Sequence, residues 1–152
     1  MSDEVTVDIG SDADMVPARA QARALALRLG FSRTDATLIA TAISEVTRNI
    51  IVHADTGRIV MKPLYEHERF GLMVIATDHG PGIHDVDGIL QPGYVSPNGL
   101  GLGLPGTRRL MDEFQLSSVV GTGTTVTMVK WRQRDELEKL RERRRSAAPR
   151  TG

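Results

Sequence analysis

The sequence predicts an α+β domain. Three observations carry that expectation. Short segments with strand-like alternation stand near both ends of the chain, and two helical stretches follow one another in its first third. A glycine-rich connection then leads into a last helix and a final pair of strands, so strands and helices fall in blocks rather than alternating regularly. The length of 152 residues fits one domain, and 40% hydrophobic with 25% charged residues is ordinary for a globular chain. Aromatic residues make up only 4%, so the core must be built from Val, Ile, Leu, Met and Ala. Nineteen basic residues balance nineteen acidic ones, and bulk charge gives no argument for a nucleic-acid or membrane partner. The chain has no cysteine, which excludes disulfides, a thiolate nucleophile and Cys-ligated zinc. No apolar run approaches the length of a membrane span, and Asp3, Glu4, Asp8, Asp12 and Asp14 crowd the start. Neither a transmembrane helix nor a signal peptide is expected, and the expected location is cytoplasmic.

Val5, Val7 and Ile9 alternate with Thr6 and Asp8 as a strand. Ser11 or Asp12 can cap a helix running to Leu29, with Gly30 placed to end it. Ser32 and Asp35 have capping-box spacing, and a second helix should run to about His53. On it Ile39, Ala42, Ile43, Val46 and Ile50 share one face. Glu45 and Asn49, four residues apart, lie about 40° apart around the axis and flank that stripe, with Thr41 continuing their line. Arg58–Tyr65 and Arg69–Asp78 read as a hairpin. Residues 79–103 hold seven Gly and three Pro, too many for regular structure, and a loop this long is usually functional or mobile. A helix from Leu104-Pro105 to Phe114 should follow, because Pro suits a first turn. Leu116–Val120 and Thr124–Trp131 complete the set as strands around Gly121-Thr122-Gly123.

The composition divides the chain at Trp131. Residues 1–131 form the domain, and residues 132–152 form a charged helix or tail with eight bases against four acids. That excess of four positive charges suits either a solubilising extension or a segment that docks on an acidic partner.

Four motifs could carry chemistry. Glu45 and Asn49 offer hard oxygen ligands of the kind Mg²⁺ takes, and a carboxylate there could accept a proton; the same pair also suits a plain helix surface. Asp78-His79-Gly80-Pro81-Gly82 follows an apolar strand, so Asp78 could accept from an exocyclic amine while Gly80 and Gly82 let the backbone turn; it is also a good simple turn. Gly99-Leu-Gly101-Leu-Gly103-Leu104-Pro-Gly106 opens a helix, and glycine N–H groups at a helix start make an anion cradle; a flexible hinge is the other reading. No strand immediately precedes it, which argues against a dinucleotide fingerprint, and no Walker A lysine is present. Gly121–Thr125 is either a tight hairpin or a strand start where a Thr hydroxyl could face a nucleotide base.

The order of these motifs over residues 5–131 resembles the GHKL ATP-binding superfamily of gyrase, Hsp90, histidine kinases and MutL. The segments ISEVTRNIIVHA, DHGPGI, GLGLGLPGTRRLMDEF and GTGTTVTMVKW are most similar to the RsbT-type serine/threonine kinases of bacterial stress signalling, relatives of the RsbW and SpoIIAB anti-sigma factors. The resemblance implies a two-layer α/β sandwich with a mixed, mostly antiparallel sheet and helices on one face. It implies ATP and Mg²⁺ as cofactors. Asp78 would accept from adenine with help from Thr124, and Gly80 and Gly82 would shape that pocket. Asn49 would hold the metal. Gly99, Gly101, Gly103 and Leu104 would cradle phosphates under a lid from about Asp85 to Leu102. Glu45 would be the general base. Arg108 or Arg109 could add charge near the phosphates, and His53 could touch them or simply end its helix. His67 and His79 read as exposed loop residues, and His84 has no assigned role.

By the same resemblance the substrate would be a STAS-domain protein of the RsbS or RsbR type, and the released kinase would activate a PP2C-type phosphatase. The alternatives are an anti-sigma factor that binds a sigma factor and phosphorylates its antagonist, and a non-catalytic module gated by nucleotide. A sensor histidine kinase is not expected, because the phosphoacceptor helices it needs ahead of such a domain have no room here.

Overall fold

The strand alternation and the helical stripe meet in one apolar layer. The computed structural model describes residues 3–91 and 103–132, together with Arg141, Arg143 and Arg144, which are helical and exposed. Among these described residues five strands form one sheet in the order β1-β2-β3-β5-β4, with β1 at Val5–Ile9, β2 at Gly57–Glu66, β3 at Arg69–Asp78, β4 at Glu113–Val119 and β5 at Gly123–Trp131. All four neighbour pairings are antiparallel, so the mixed sheet expected from the sequence is corrected to an antiparallel one. The connectivity explains it. β2–β3 and β4–β5 are hairpins, and β5 returns beside β3 in the opposite direction.

Register aligns the apolar positions into rows. Val7, Ile59, Ala76, Val126 and Leu116 face one another across all five strands. On this face pack the helices α1 (Met15–Arg28) and α2 (Arg33–Ala54), which bury Ala18, Ala22, Leu25, Ile39, Ile43, Val46 and Ile50 in the same core. The predicted stripe of α2 is buried throughout, including Ala42.

Local chemistry sets the helix ends. Ahead of α1 the chain makes a 3₁₀ turn over Asp12–Asp14, where Asp14 Oδ2 accepts the N–H groups of Gly10 (2.7 Å) and Ser11 (3.0 Å). The α-helix therefore starts later than the Ser11 or Asp12 cap suggested, and it gives way at Gly30, whose φ of 91° suits glycine. Ser32 Oγ accepts the Asp35 N–H at 3.1 Å and caps α2 as expected. A short α3 (Val86–Ile89) lies in the segment expected to be irregular.

Helix α4 spans Gly103–Leu110, not Leu104 to Phe114, and Phe114 belongs to β4. A tertiary contact ends it. Lys130 Nζ, from β5, donates to the Leu110 carbonyl at 3.0 Å, satisfying a terminal acceptor and placing positive charge at the negative end of the helix. Asp112 then joins the sheet, donating its N–H to the Val129 carbonyl and accepting the Trp131 N–H at 2.6 Å on Oδ2.

Candidate nucleotide site

One row beyond the apolar row, the same sheet face becomes polar. Gly57, Asp78, Thr124 and Ser118 replace Ile59, Ala76, Val126 and Leu116, two residues along each strand. Asp78 is 6% exposed. Its Oδ1 accepts two backbone N–H groups, from Gly80 at 3.0 Å and from Thr124 at 3.2 Å. Among the described residues Oδ2 has no hydrogen-bond partner, so one carboxylate oxygen is anchored and the other keeps its lone pairs free.

Ser118 ties this floor together. Its Oγ accepts the Ile83 N–H at 2.7 Å and reaches the Gly123 carbonyl at 3.2 Å and Thr124 Oγ1 at 2.8 Å. A hydroxyl has one proton. With Ser118 donating to Gly123, Thr124 donates to Ser118 and keeps its lone pairs for another donor. Sequence reading passed over Ser118, although a polar residue two positions after Leu116 on an alternating strand was a signal.

Gly80 and Gly82 sit beside this floor, but their close approaches are to protein. A Cβ on Gly80 would lie 2.6 Å from Ala54 Cβ at the end of α2. A Cβ on Gly82, whose φ is 80°, would lie 2.6 Å from the Val119 carbonyl oxygen. These two glycines let the loop after β3 pack between α2 and the β4–β5 turn, where Gly121 N–H also donates to the Pro81 carbonyl at 2.8 Å.

The second part of the site lies along α2. Glu45, Arg48, Asn49, Val52, His53, Gly103 and Leu104 line one cavity. Glu45, with a side chain 10% exposed, has both oxygens engaged: Arg48 Nη1 lies 3.4 Å from Oε1, and the Gly103 N–H donates to Oε2 at 3.1 Å. Gly103 opens α4, so this N–H is one of the donors a helix start leaves unsatisfied. Asn49 is half-buried and, among the described residues, its amide has no hydrogen-bond partner. That leaves its carbonyl oxygen available as a hard ligand. No cluster of three or more His, Cys, Asp and Glu able to hold a metal occurs among the described residues; a Mg²⁺ site that draws most of its ligands from phosphates and water does not need one.

The structure thus brings Glu45, Asn49, Gly103 and Leu104 together, and joins Asp78, Gly80, Gly82 and Thr124 in a second group. Gly80 links the two by packing on Ala54 and the His53 carbonyl. Gly99, Gly101 and most of the expected lid lie outside the described residues, as does most of the expected tail. His53 lines the cavity, while Arg108 and Arg109 are exposed on the last turn of α4. Arg48 was not anticipated from the sequence, although its spacing three residues after Glu45 is that of a helix-surface ion pair. No described helix is long and apolar enough to cross a membrane.

Residues 10–130 match the histidine kinase-like ATPase domain. The chain is 44% identical over 131 residues to the serine/threonine-protein kinase RsbT of Bacillus subtilis (strain 168), covering 86% of this chain and 98% of that protein. It is 34% identical over 129 residues to the serine-protein kinase RsbW of Bacillus cereus (strain B4264), covering 75% of each. It is 31% identical over 120 residues to the anti-sigma F factor of Thermoanaerobacter sp. (strain X514), covering 75% of this chain and 82% of that one.

Proposed function

Because this chain belongs to the family of histidine kinase-like ATPase domains, we propose that it is an ATP-dependent protein serine/threonine kinase of a bacterial partner-switching system. Its acceptor is a STAS-domain protein of the RsbS or RsbR type, and the kinase released from it activates a PP2C-type phosphatase. Similarity to RsbT over nearly the whole of that relative supports this reading. The structural observation that carries it is the cavity where Glu45 and Asn49 face the start of α4.

The roles follow from the chemistry of each group. Asp78 Oδ2 accepts from the adenine amino group while Oδ1 stays on the Gly80 and Thr124 N–H groups. Thr124 Oγ1 takes part as a further acceptor, directly or through water. The N–H groups at the start of α4, with the preceding Gly99 and Gly101, receive the phosphates. Asn49 would hold Mg²⁺, which supplies charge neutralisation on the phosphate oxygens. Glu45 accepts the proton of the incoming serine or threonine hydroxyl. The hydroxyl oxygen forms the new bond to the γ-phosphorus as the bond to the bridging oxygen breaks, and ADP leaves with that electron pair.

The anti-sigma reading is supported by the similarity to RsbW and to the anti-sigma F factor. One experiment separates the two. The chain is incubated with labelled Mg-ATP and, in parallel, an RsbS-type STAS protein and an RNA polymerase sigma subunit. Phosphate on the STAS protein without a stable sigma complex supports the partner-switching kinase. A stable sigma complex would replace that reading with the anti-sigma one. Tight ATP binding with neither outcome would identify a nucleotide-gated binding module.

A further inference from the structure

Glu45 is held from two sides, and the two holds differ in kind. The donor to Oε2 is the Gly103 N–H at the start of α4, where the helix dipole and free N–H groups suit an anion. A phosphate arriving there competes with Oε2 for the same donor. The donor near Oε1 is Arg48, on the same helix as Glu45 and less than one turn away. Arg48 is itself held: its Nη2 lies 4.0 Å from Met15 Sδ on α1, and its side chain is 31% exposed. Among the described residues Glu45 and Met15 are its hydrogen-bond partners, and it lines the cavity together with Asn49 and His53.

From this geometry we propose that Arg48 is a positioning residue for Glu45. It keeps the carboxylate directed into the cavity once nucleotide phosphate has taken the Gly103 N–H. The inference rests on Glu45 being the proton acceptor of the proposed kinase. A glutamate side chain turns about three bonds, and a base acts only within hydrogen-bond reach of the proton it removes. A single Arg48 contact on Oε1 leaves the carboxylate further lone pairs with which to take a proton.

The test uses the full chain carrying Arg48→Met or Arg48→Lys, with Glu45→Ala as control. Steady-state transfer from Mg-ATP to an RsbS-type STAS protein is measured beside the thermal unfolding midpoint. Arg48→Met is expected to lower kcat by about 10- to 100-fold, the scale of a misplaced catalytic group, with KM for ATP changed less than about threefold. The midpoint should not move, and Arg48→Lys should recover part of kcat because an ammonium restores charge and a donor but not the planar fork. Unchanged kcat in Arg48→Met, with transfer still abolished by Glu45→Ala, overturns this inference alone. A loss of kcat matched by a rise in KM or a lowered midpoint also overturns it, by assigning Arg48 to nucleotide binding or to folding. Absence of transfer by the unmodified chain overturns the kinase reading and this inference with it.

Discussion

The Gly103 N–H donates to Glu45 Oε2 at 3.1 Å across 58 positions of sequence. This bond joins the start of the glycine-opened helix to the carboxylate of the long helix, and it closes one side of the cavity that also contains Asn49. Site and fold are coupled here, because the group proposed to take a proton also caps a helix.

The adenine end depends on Asp78. In Asp78→Asn the amide oxygen can keep the Gly80 and Thr124 N–H bonds, which turns the amide NH₂ toward the ligand amine. Two donors then face each other. The loss is expected at about 1–3 kcal/mol, or roughly 5- to 150-fold weaker ATP binding by calorimetry. An unchanged affinity would remove Asp78 from the pocket.

Gly82→Ala should cost stability before it touches chemistry. The residue has φ of 80°, and a Cβ would meet the Val119 carbonyl oxygen at 2.6 Å. Denaturant unfolding should show a loss of about 1–3 kcal/mol, the usual scale of local backbone strain. A stability equal to the parent chain would mean that the loop shifts freely away from the β4–β5 turn.

Ser118→Ala removes a shared partner. It leaves the Ile83 N–H, Gly123 carbonyl and Thr124 hydroxyl without their common hydroxyl. The expected loss is about 1–2 kcal/mol, lowering the unfolding midpoint by about 2–4 °C per kcal/mol. ATP affinity should fall as well, since Thr124 loses the bond that orients it. A fall in stability with affinity intact would confine Ser118 to the fold.

Much of the architecture was legible because it is local. The 3.6-residue period of Ile39, Ile43, Val46 and Ile50, with the Ser32 cap, defined α2 and put Glu45 and Asn49 beside its buried stripe. The end of α4 was not legible, because Lys130 reaches its last carbonyl from 20 residues downstream. Asp78 and Thr124 could be marked as acceptor and hydroxyl, but not their shared row with Ser118, which requires strand register. Gly80 and Gly82 could be recognised as a tight turn, but only packing shows that Ala54 and Val119 occupy the space. Arg48 was half hidden: its spacing from Glu45 is local to α2, but its contact with Met15 forms only when α1 and α2 pack together.

The most direct test of the central claim compares Glu45→Ala with the parent chain, measuring γ-phosphate transfer from Mg-ATP to an RsbS-type STAS protein beside ATP affinity. With Glu45 as the proton acceptor, transfer should fall by about 10²- to 10⁴-fold, the range of general base catalysis, while ATP affinity changes only a few-fold. Transfer at the parental rate in Glu45→Ala would contradict the assignment.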